Sequence, residues 1–246
     1  MERTAVITGA SRGIGRAIVQ ELCDMGMKVA LLDVDGKRLR QEASELEAKA
    51  FGRVLPVEVD LSDAAQVEHA CQTVREAFGT VDTLVNVAGV ALGTPFEQVT
   101  PEEWDKVFAI NLKADFLLAQ AFIGDMVQKG FGRIVSISSM AGVMGSENAG
   151  CHYCASKAGV IGLMKHLSKR YARNGVTANA IAPGPIDTEM VRGLGEKTYQ
   201  NLLDSMPTHR LGTSEQIAAI TRLLVSEVGG FVTGTVIEAS GGQLIV

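Results

Sequence analysis

The sequence predicts an α/β fold, a doubly wound parallel sheet of seven strands with helices on both faces. Two observations carry this. Short β-branched runs alternate with helical stretches from end to end, with no linker, low-complexity tract or solenoid repeat between them. The strand candidates are near-continuous apolar runs, as strands buried on both faces are, and lack the alternation of a half-exposed antiparallel sheet. Right-handed βαβ crossovers follow from such an order. At 246 residues the chain is long enough to bury a large core as one domain over 1–246.

Thr4 to Thr8 is a β-rich run ending in glycines, and Ile14 to Met25 has helical periodicity. Lys28 to Leu32 reads as a second buried strand and Lys37 to Lys49 as a helix with a charged face. Val54 to Val59 is the third strand; Pro56 has no amide donor, which predicts an edge or irregular position. Asp63 to Phe78 is a helix with Ser62 as its expected N-cap, and Asp82 to Val85 is a strand running into Asn86. Trp104 to Gln120 is helical, Ile134 to Ser138 is the fifth strand, and Ala158 to Tyr171 continues a helix that carries Tyr153 and Lys157. Asn179 to Gly184 ends the sixth strand. Glu189 to Met206 reads as a helical flap, Leu211 to Val225 as a helix and Thr235 to Glu238 as the seventh strand.

Composition narrows the function classes. Hydrophobic residues make up 46% and charged residues 21%, ordinary for a globular protein. A formal net charge of −5 gives no footprint for nucleic acid or an anionic membrane. No apolar run approaches the ~20 residues of a membrane span. Met1-Glu2-Arg3-Thr4 leads straight into a strand, so the expectation is a cytoplasmic chain without a signal peptide. The four cysteines, Cys23, Cys71, Cys151 and Cys154, lack metal-ligand spacing, and no metal is expected. Cys151 and Cys154 form a CxxC across the start of the Tyr153 helix, which could suit redox work, but reduced thiols are the favoured reading.

Two local patterns point to chemistry. Gly9-x-x-x-Gly13-x-Gly15 lies between a strand and a helix, where glycines let the backbone approach a pyrophosphate and the helix start favours negative charge. Asp33 follows the second strand directly; an acid there accepts hydrogen bonds from both ribose hydroxyls of NAD and repels a 2′-phosphate. Arg12 pulls the other way. Charged hydrogen bonds are worth roughly 1.5–3 kcal/mol, a guanidinium on a solvated loop about 1 kcal/mol, so NAD is favoured over NADP. Further on, Tyr153 and Lys157 are four residues apart, on one face of a helix. An ammonium at ~4 Å in an effective dielectric of ~20 favours phenolate by roughly 4 kcal/mol, about three pKa units. The expectation is therefore a lowered Tyr153, suited to general acid-base work.

In this order the motifs resemble the short-chain dehydrogenases/reductases along essentially the whole chain. The matching pieces are Thr8 to Gly15, Asp60-Leu61, Asn86-Val87-Ala88-Gly89, Asn111, Ser139, Tyr153-Cys154-Ala155-Ser156-Lys157 and Pro183-Gly184. Val87 departs from the family, which usually has a second Asn there. The resemblance implies a Rossmann fold with a cofactor part over roughly 1–135 and a catalytic and substrate part over roughly 136–246. It implies a catalytic set of Asn111, Ser139, Tyr153 and Lys157, with Asn111 perturbing its helix and holding a water that links Lys157 to solvent. The family pattern Ser-Ser-x-x-Gly selects Ser139 over Ser138. Implied cofactor contacts are Gly9, Ser11, Arg12, Gly13, Ile14, Gly15, Asp33, Asp60, Leu61, Asn86, Ala88, Gly89, Tyr153, Lys157, Pro183, Gly184, Ile186 and Thr188. Asp60 would meet the adenine amino group and Lys157 the nicotinamide ribose.

Substrate readings stay broader. Leu92, Phe96, Met140 and Met144 with Met190, Val191, Leu194, Leu202 and Met206 offer a largely apolar pocket or simply core. Arg192 and His209 are candidate anchors for an anionic substrate, against the ordinary expectation that exposed charges stay solvated. His152 should point away from the catalytic face. The favoured function is NAD-dependent interconversion of a secondary alcohol and its ketone, 3-hydroxyacyl thioesters included. An NADPH-dependent 3-oxoacyl thioester reductase is the alternative, and a catalytically silent nucleotide-binding subunit the rival of another class. The apolar Leu244-Ile245-Val246 end, by resemblance, lies in a subunit interface, with a homotetramer favoured over a dimer.

Overall fold

The computed structural model describes residues 3–48, 53–193 and 195–245, without the side chains of Ala48 and Met190. Met1, Glu2, Lys49, Leu194 and Val246, named above, lie outside the described residues. The chain runs β1 (Thr4–Thr8), α1 (Gly13–Asp24), β2 (Lys28–Asp33), α2 (Gly36–Ala48), β3 (Val54–Glu58), α3 (Ala64–Phe78) and β4 (Thr83–Asn86). It continues with α4 (Pro101–Phe108), a π turn (Ala109–Lys113), α5 (Ala114–Lys129), β5 (Gly132–Ile137), α6 (Met140–Met144) and α7 (Cys151–Tyr171). The last part holds β6 (Val176–Pro183), α8 (Glu189–Arg192), α9 (Glu196–Ser205), α10 (Ser214–Val225) and β7 (Val236–Ala239).

The described strands form one parallel sheet in the order β3-β2-β1-β4-β5-β6-β7. Successive strand residues point to opposite faces. Ala5 and Ile7 enter the core under α1, α2 and α10, while Val6 between them enters the core under α3, α5 and α7. β3 is an edge strand, the place where Pro56 leaves no missing ladder donor inside the sheet. The order reverses between β1 and β4, so a crevice opens beyond their C-terminal ends. Thr8 ties its two banks together: its Oγ1 accepts from the amides of Val87 and Ala88 at 3.0 and 3.1 Å.

Several expectations need adjustment. Asp63, not Ser62, caps α3, accepting from the amides of Ala65 and Gln66; Ser62 donates from both its amide and its hydroxyl to Asp60. The expected Trp104–Gln120 helix is a longer stretch broken by the π turn at 109–113. Pro101–Lys129 is, by length and composition, apolar enough to cross a membrane, which reading the apolar runs one at a time missed. Its Leu118, Phe122 and Met126 are buried on the sheet, where a core helix places them. The flap is two helices, and α10 starts at Ser214, where Thr213 and Gln216 form a capping box.

Candidate active site

A groove of about 440 Å³ follows the crevice. Gly9, Arg12, Gly13, Ile14, Gly15, Asp33, Asp60, Leu61, Ala88, Gly89 and Thr188 line it, as expected. Val34, Val59, Val87, Val90, Lys106, Ile110 and Glu189 line it too. The first four and Glu189 adjoin residues already singled out for the cofactor. Lys106 and Ile110 carry no local signal, because only the packing of α4 and the π turn across the crevice brings them there.

The groove's geometry fits a dinucleotide. At Gly9 (φ +62°) an added Cβ would lie 2.9 Å from the Ala88 backbone, so the two loops can meet only without a side chain. The N-cap of α1 is Arg12, in extended backbone with no side-chain cap hydrogen bond. A guanidinium has no acceptor, so the first amides of α1 stay available to an anion. Thr188 Cγ2 packs 3.5 Å from where a Cβ on Gly13 would stand, so the strand-six loop closes on the glycine turn.

At the far bank, the Asp33 carboxylate accepts from the amides of Ser11 at 3.0 Å and Asp35 at 3.1 Å. Both bonds hold it at the end of β2 with lone pairs to spare. On α2, the Arg38 guanidinium forks onto Glu189 at 3.0 and 2.7 Å, joining α2 to α8 across 151 residues of sequence. Arg12 also acts electrostatically on Glu189. Asp60 accepts from the amide and hydroxyl of Ser62 through one oxygen. Asn86 is buried, and its Nδ2 donates to the Ser136 hydroxyl at 3.0 Å. Ile186 has its side chain in the core, so only its backbone can face a ligand; Pro183 and Gly184 end β6 beside β7.

The residues expected to be catalytic lie on the π turn, the end of β5 and α7. The π turn puts Asn111 wholly inside, where its amide clamps Val90: Oδ1 accepts from the Val90 amide at 2.8 Å and Nδ2 donates to the Val90 carbonyl at 3.0 Å. Nδ2 also donates to Ser156 Oγ at 3.1 Å. The helix is thus perturbed at the residue named from the family pattern, and its side chain is held in structural hydrogen bonds. Ser139 caps α6, its hydroxyl oxygen accepting from the Ala141 amide, and it hydrogen-bonds Tyr153. Ser138 instead donates to the Lys157 carbonyl at 2.8 Å, a buried structural bond. Lys157 Nζ donates to the Ile137 carbonyl at 2.8 Å and stands 3.2 Å from where a Gly89 Cβ would be, which brings it to the groove wall.

Tyr153 titrates above the ordinary phenol range, the reverse of the expected lowering. Burial disfavours the phenolate, and the Ser139 hydrogen bond only partly offsets this. Burial acts on Lys157 as well, moving it below its usual range, while the charge of Asp115 opposes the shift. Asp115 itself is pushed up to about 7 by burial, against the charge of Lys157 and a Ser136 hydrogen bond. Nothing in the sequence pattern singled out this acid.

Other expectations separate cleanly. Met140 and Met206 are core, whereas Leu92, Phe96 and Met144 are exposed and Val191 and Leu202 half-buried. Arg192 forks onto Asp187 at 2.7 and 2.8 Å. His152 is buried and turned away to Glu103, 2.8 Å from Nε2. All four cysteines are free; burial pushes Cys23 and Cys71 up to about 11.

Comparison with known proteins agrees on one family. The family model for short chain dehydrogenase matches residues 3–198. The chain is 36% identical to the 3-oxoacyl-[acyl-carrier-protein] reductase FabG of Salmonella typhimurium, over 99% of this chain and 98% of that one. It is 40% identical to the acetoacetyl-CoA reductase of Rhizobium meliloti, over 99% of each. A crystal structure of 3-oxoacyl-[acyl-carrier protein] reductase from Brucella melitensis superposes with a TM-score of 0.93 at 32% identity, covering 100% of this chain and 92% of that one.

Proposed function

The chain belongs to the short chain dehydrogenase family, and from that premise we propose that it interconverts a 3-hydroxyacyl thioester and its 3-oxo form with NAD(H). Oxidoreductase chemistry on a CH–OH or keto carbon with a nicotinamide dinucleotide is the family's; the thioester and the choice of NAD are this reading's own. The thioester is supported by the two relatives, whose substrates by name are a 3-oxoacyl-[acyl-carrier-protein] and acetoacetyl-CoA.

One observation carries the cofactor choice: Asp33 is held by two backbone amides at the end of β2, while Arg38 on the following helix is paired with Glu189. A 2′-phosphate would meet a fixed carboxylate, with the Arg38 guanidinium already paired. In the reaction, the Ser139 and Tyr153 hydroxyls orient the substrate oxygen. Tyr153 takes the alcohol proton in oxidation and returns it in reduction, and its raised pKa suits the protonated, donating role. Lys157 supplies positive charge at the groove wall, and Asn111 fixes the Val90 segment against α7. The bound nicotinamide supplies the hydride acceptor or donor.

Exposed apolar residues near the C-terminus, Phe231 at 98% and Ile245 at 89% among them, support a homo-oligomer, with the tetramer favoured. Nothing favours nucleic acid as a partner, and a cytoplasmic location belongs to the same proposal. The test is NADH absorbance with 3-hydroxyacyl thioesters of CoA and of acyl-carrier protein, run in parallel with NADP. NAD should lead in kcat/KM by at least about tenfold. An NADPH preference would move the 3-oxoacyl reductase reading ahead, and no turnover with either cofactor would favour the silent subunit.

A further inference from the structure

Tyr153 is the third residue of α7, in the turn of a helix that has the fewest hydrogen bonds of its own. Gly150 is the N-cap and offers no side chain to the free amides. Fraying there would move the phenol, and a reacting group must be held to within about 0.5 Å. His152, next to Tyr153, has no part in the steps above, yet it is wholly buried. Its Nε2 lies 2.8 Å from Glu103 Oε1, which joins α7 to α4 across 49 residues of sequence. A carboxylate can only accept, so Nε2 is the nitrogen that carries the proton. Nδ1 is buried with no hydrogen-bond partner among the described residues, so the ring is anchored through Nε2 alone.

The ring lies back over the start of its own helix. A Cβ on Gly150 would stand 2.2 Å from the His152 Cε1 and 2.5 Å from Nδ1, as well as 2.6 Å from the Leu92 carbonyl oxygen. A residue that could cap the turn is thus excluded by the ring itself. The Gly150 amide donates to that Leu92 carbonyl at 2.9 Å. Glu103 is held in its turn, because its amide donates to the Thr100 hydroxyl at 3.2 Å in the cap of α4. From there α4 runs on into the π turn, where Asn111 clamps Val90. One helical stretch therefore holds the segment after β4 at Val90 and the first turn of α7 at His152.

We propose that His152 is a positioning residue of the active site: its hydrogen bond to Glu103 takes the place of an N-terminal cap and fixes the turn of α7 that carries Tyr153. The proposal rests on the reading of Tyr153 as the acid-base. His152 acts through the backbone, since neighbours on a helix point about 100° apart. The ring anchors the turn from the α4 side while the phenol meets Ser139. Hydrogen bonds to an ionised acceptor are roughly twice as strong as neutral ones, so one such bond can replace a cap. Neither His152 nor Glu103 lines the dinucleotide groove. Losing their bond should therefore disturb the proton step and leave cofactor binding alone.

Two variants separate positioning from packing. His152→Leu keeps apolar bulk and removes the donor, whereas the side-chain amide of His152→Gln can still donate to Glu103. With a 3-hydroxyacyl thioester at saturation, His152→Leu should lower kcat by about tenfold or more while the Kd for NADH changes by less than about twofold. His152→Gln should recover most of that loss. A kcat within about twofold of wild type in His152→Leu overturns the proposal. So does a Gln variant no better than Leu, or an equal loss of NADH affinity, either of which makes the ring ordinary core. In a Tyr153→Phe background the phenol is gone, so adding His152→Leu should cost less than about twofold; a further tenfold loss also overturns the proposal. If His152→Leu does not fold, Glu103→Ala takes its place, because 24% of the Glu103 side chain is exposed. Glu103→Gln, which keeps an acceptor oxygen, then serves as the rescue, and the same outcomes decide. Amide hydrogen exchange needs no turnover. Peptides covering 154–157, the first hydrogen-bonded amides of α7, should exchange about tenfold faster in His152→Leu, with those of β1 and β6 unchanged. Unchanged exchange at the start of α7 overturns the proposal, whereas faster exchange without turnover on any thioester supports it and strikes the functional reading alone.

Discussion

The two ends of the groove use charge in opposite surroundings. At the reaction end Lys157 and Asp115 are buried and Tyr153 is largely enclosed, and burial moves all three away from their charged forms. At the proposed adenosine end Arg38 and Glu189 meet in water, with side chains 35% and 59% exposed. Coulomb attraction between close charges grows severalfold as the effective dielectric falls, while an exposed pair contributes about 0–1 kcal/mol. A change of one charge is therefore a matter of catalysis at one end and of cofactor preference at the other.

Five substitutions test that contrast, beginning with the largest expected effect. Tyr153→Phe removes the proposed proton donor and should lower kcat by about 10²–10⁴-fold while NADH affinity changes only a few-fold. A loss of less than tenfold would show that the enclosed phenol is not the acid-base. Asp33→Ala, at the open end, should remove roughly 10- to 150-fold of NAD preference in kcat/KM, the equivalent of ~1.5–3 kcal/mol of charged hydrogen bonding. Equal use of both cofactors by the wild type would break the contrast from that side.

The serines sharpen it within one end. Ser139→Ala should reduce kcat/KM at least about tenfold more than Ser138→Ala, a difference of ~1.4 kcal/mol. Ser138→Ala should instead lower unfolding stability by about 1 kcal/mol, because it deletes a buried bond to the Lys157 carbonyl. Thermal unfolding and steady-state kinetics on the two variants separate these outcomes, and equal kinetic losses would contradict the assignment. The smallest effect belongs to Glu189→Ala. It frees Arg38 and relieves one negative charge, so kcat/KM with NADP should rise by up to about fivefold, the worth of an exposed pair. No gain with NADP would mean that Arg38 does not reach the ribose site.

Much of this was legible in the chain. The strand order of hydrophobic runs, the glycine turn, Asp33 and the Tyr153 to Lys157 spacing are local patterns, and local geometry follows from them. The edge position of β3 was readable from Pro56, because a missing donor is a property of one residue. Ser62 misled as a cap because Asp60 captures its amide and hydroxyl, leaving Asp63 to meet the first amides of α3. The apolar pocket candidates divided only once packing showed Met206 buried and Phe96 exposed.

By itself, then, the sequence determined the sheet, its helices and the residue types gathered near the crevice, since periodicity and turn chemistry act over a few residues. Tertiary structure alone decided how those groups behave. Spacing along a helix puts a lysine near a tyrosine, but the sign of the tyrosine's shift depends on how much water the fold removes. Spacing likewise says nothing of the charge of Asp115 acting on Lys157 from another helix, or of Arg38 reaching Glu189 across 151 residues. Solvation and long-range contact belong to the packed molecule, because both depend on which elements exclude water between them.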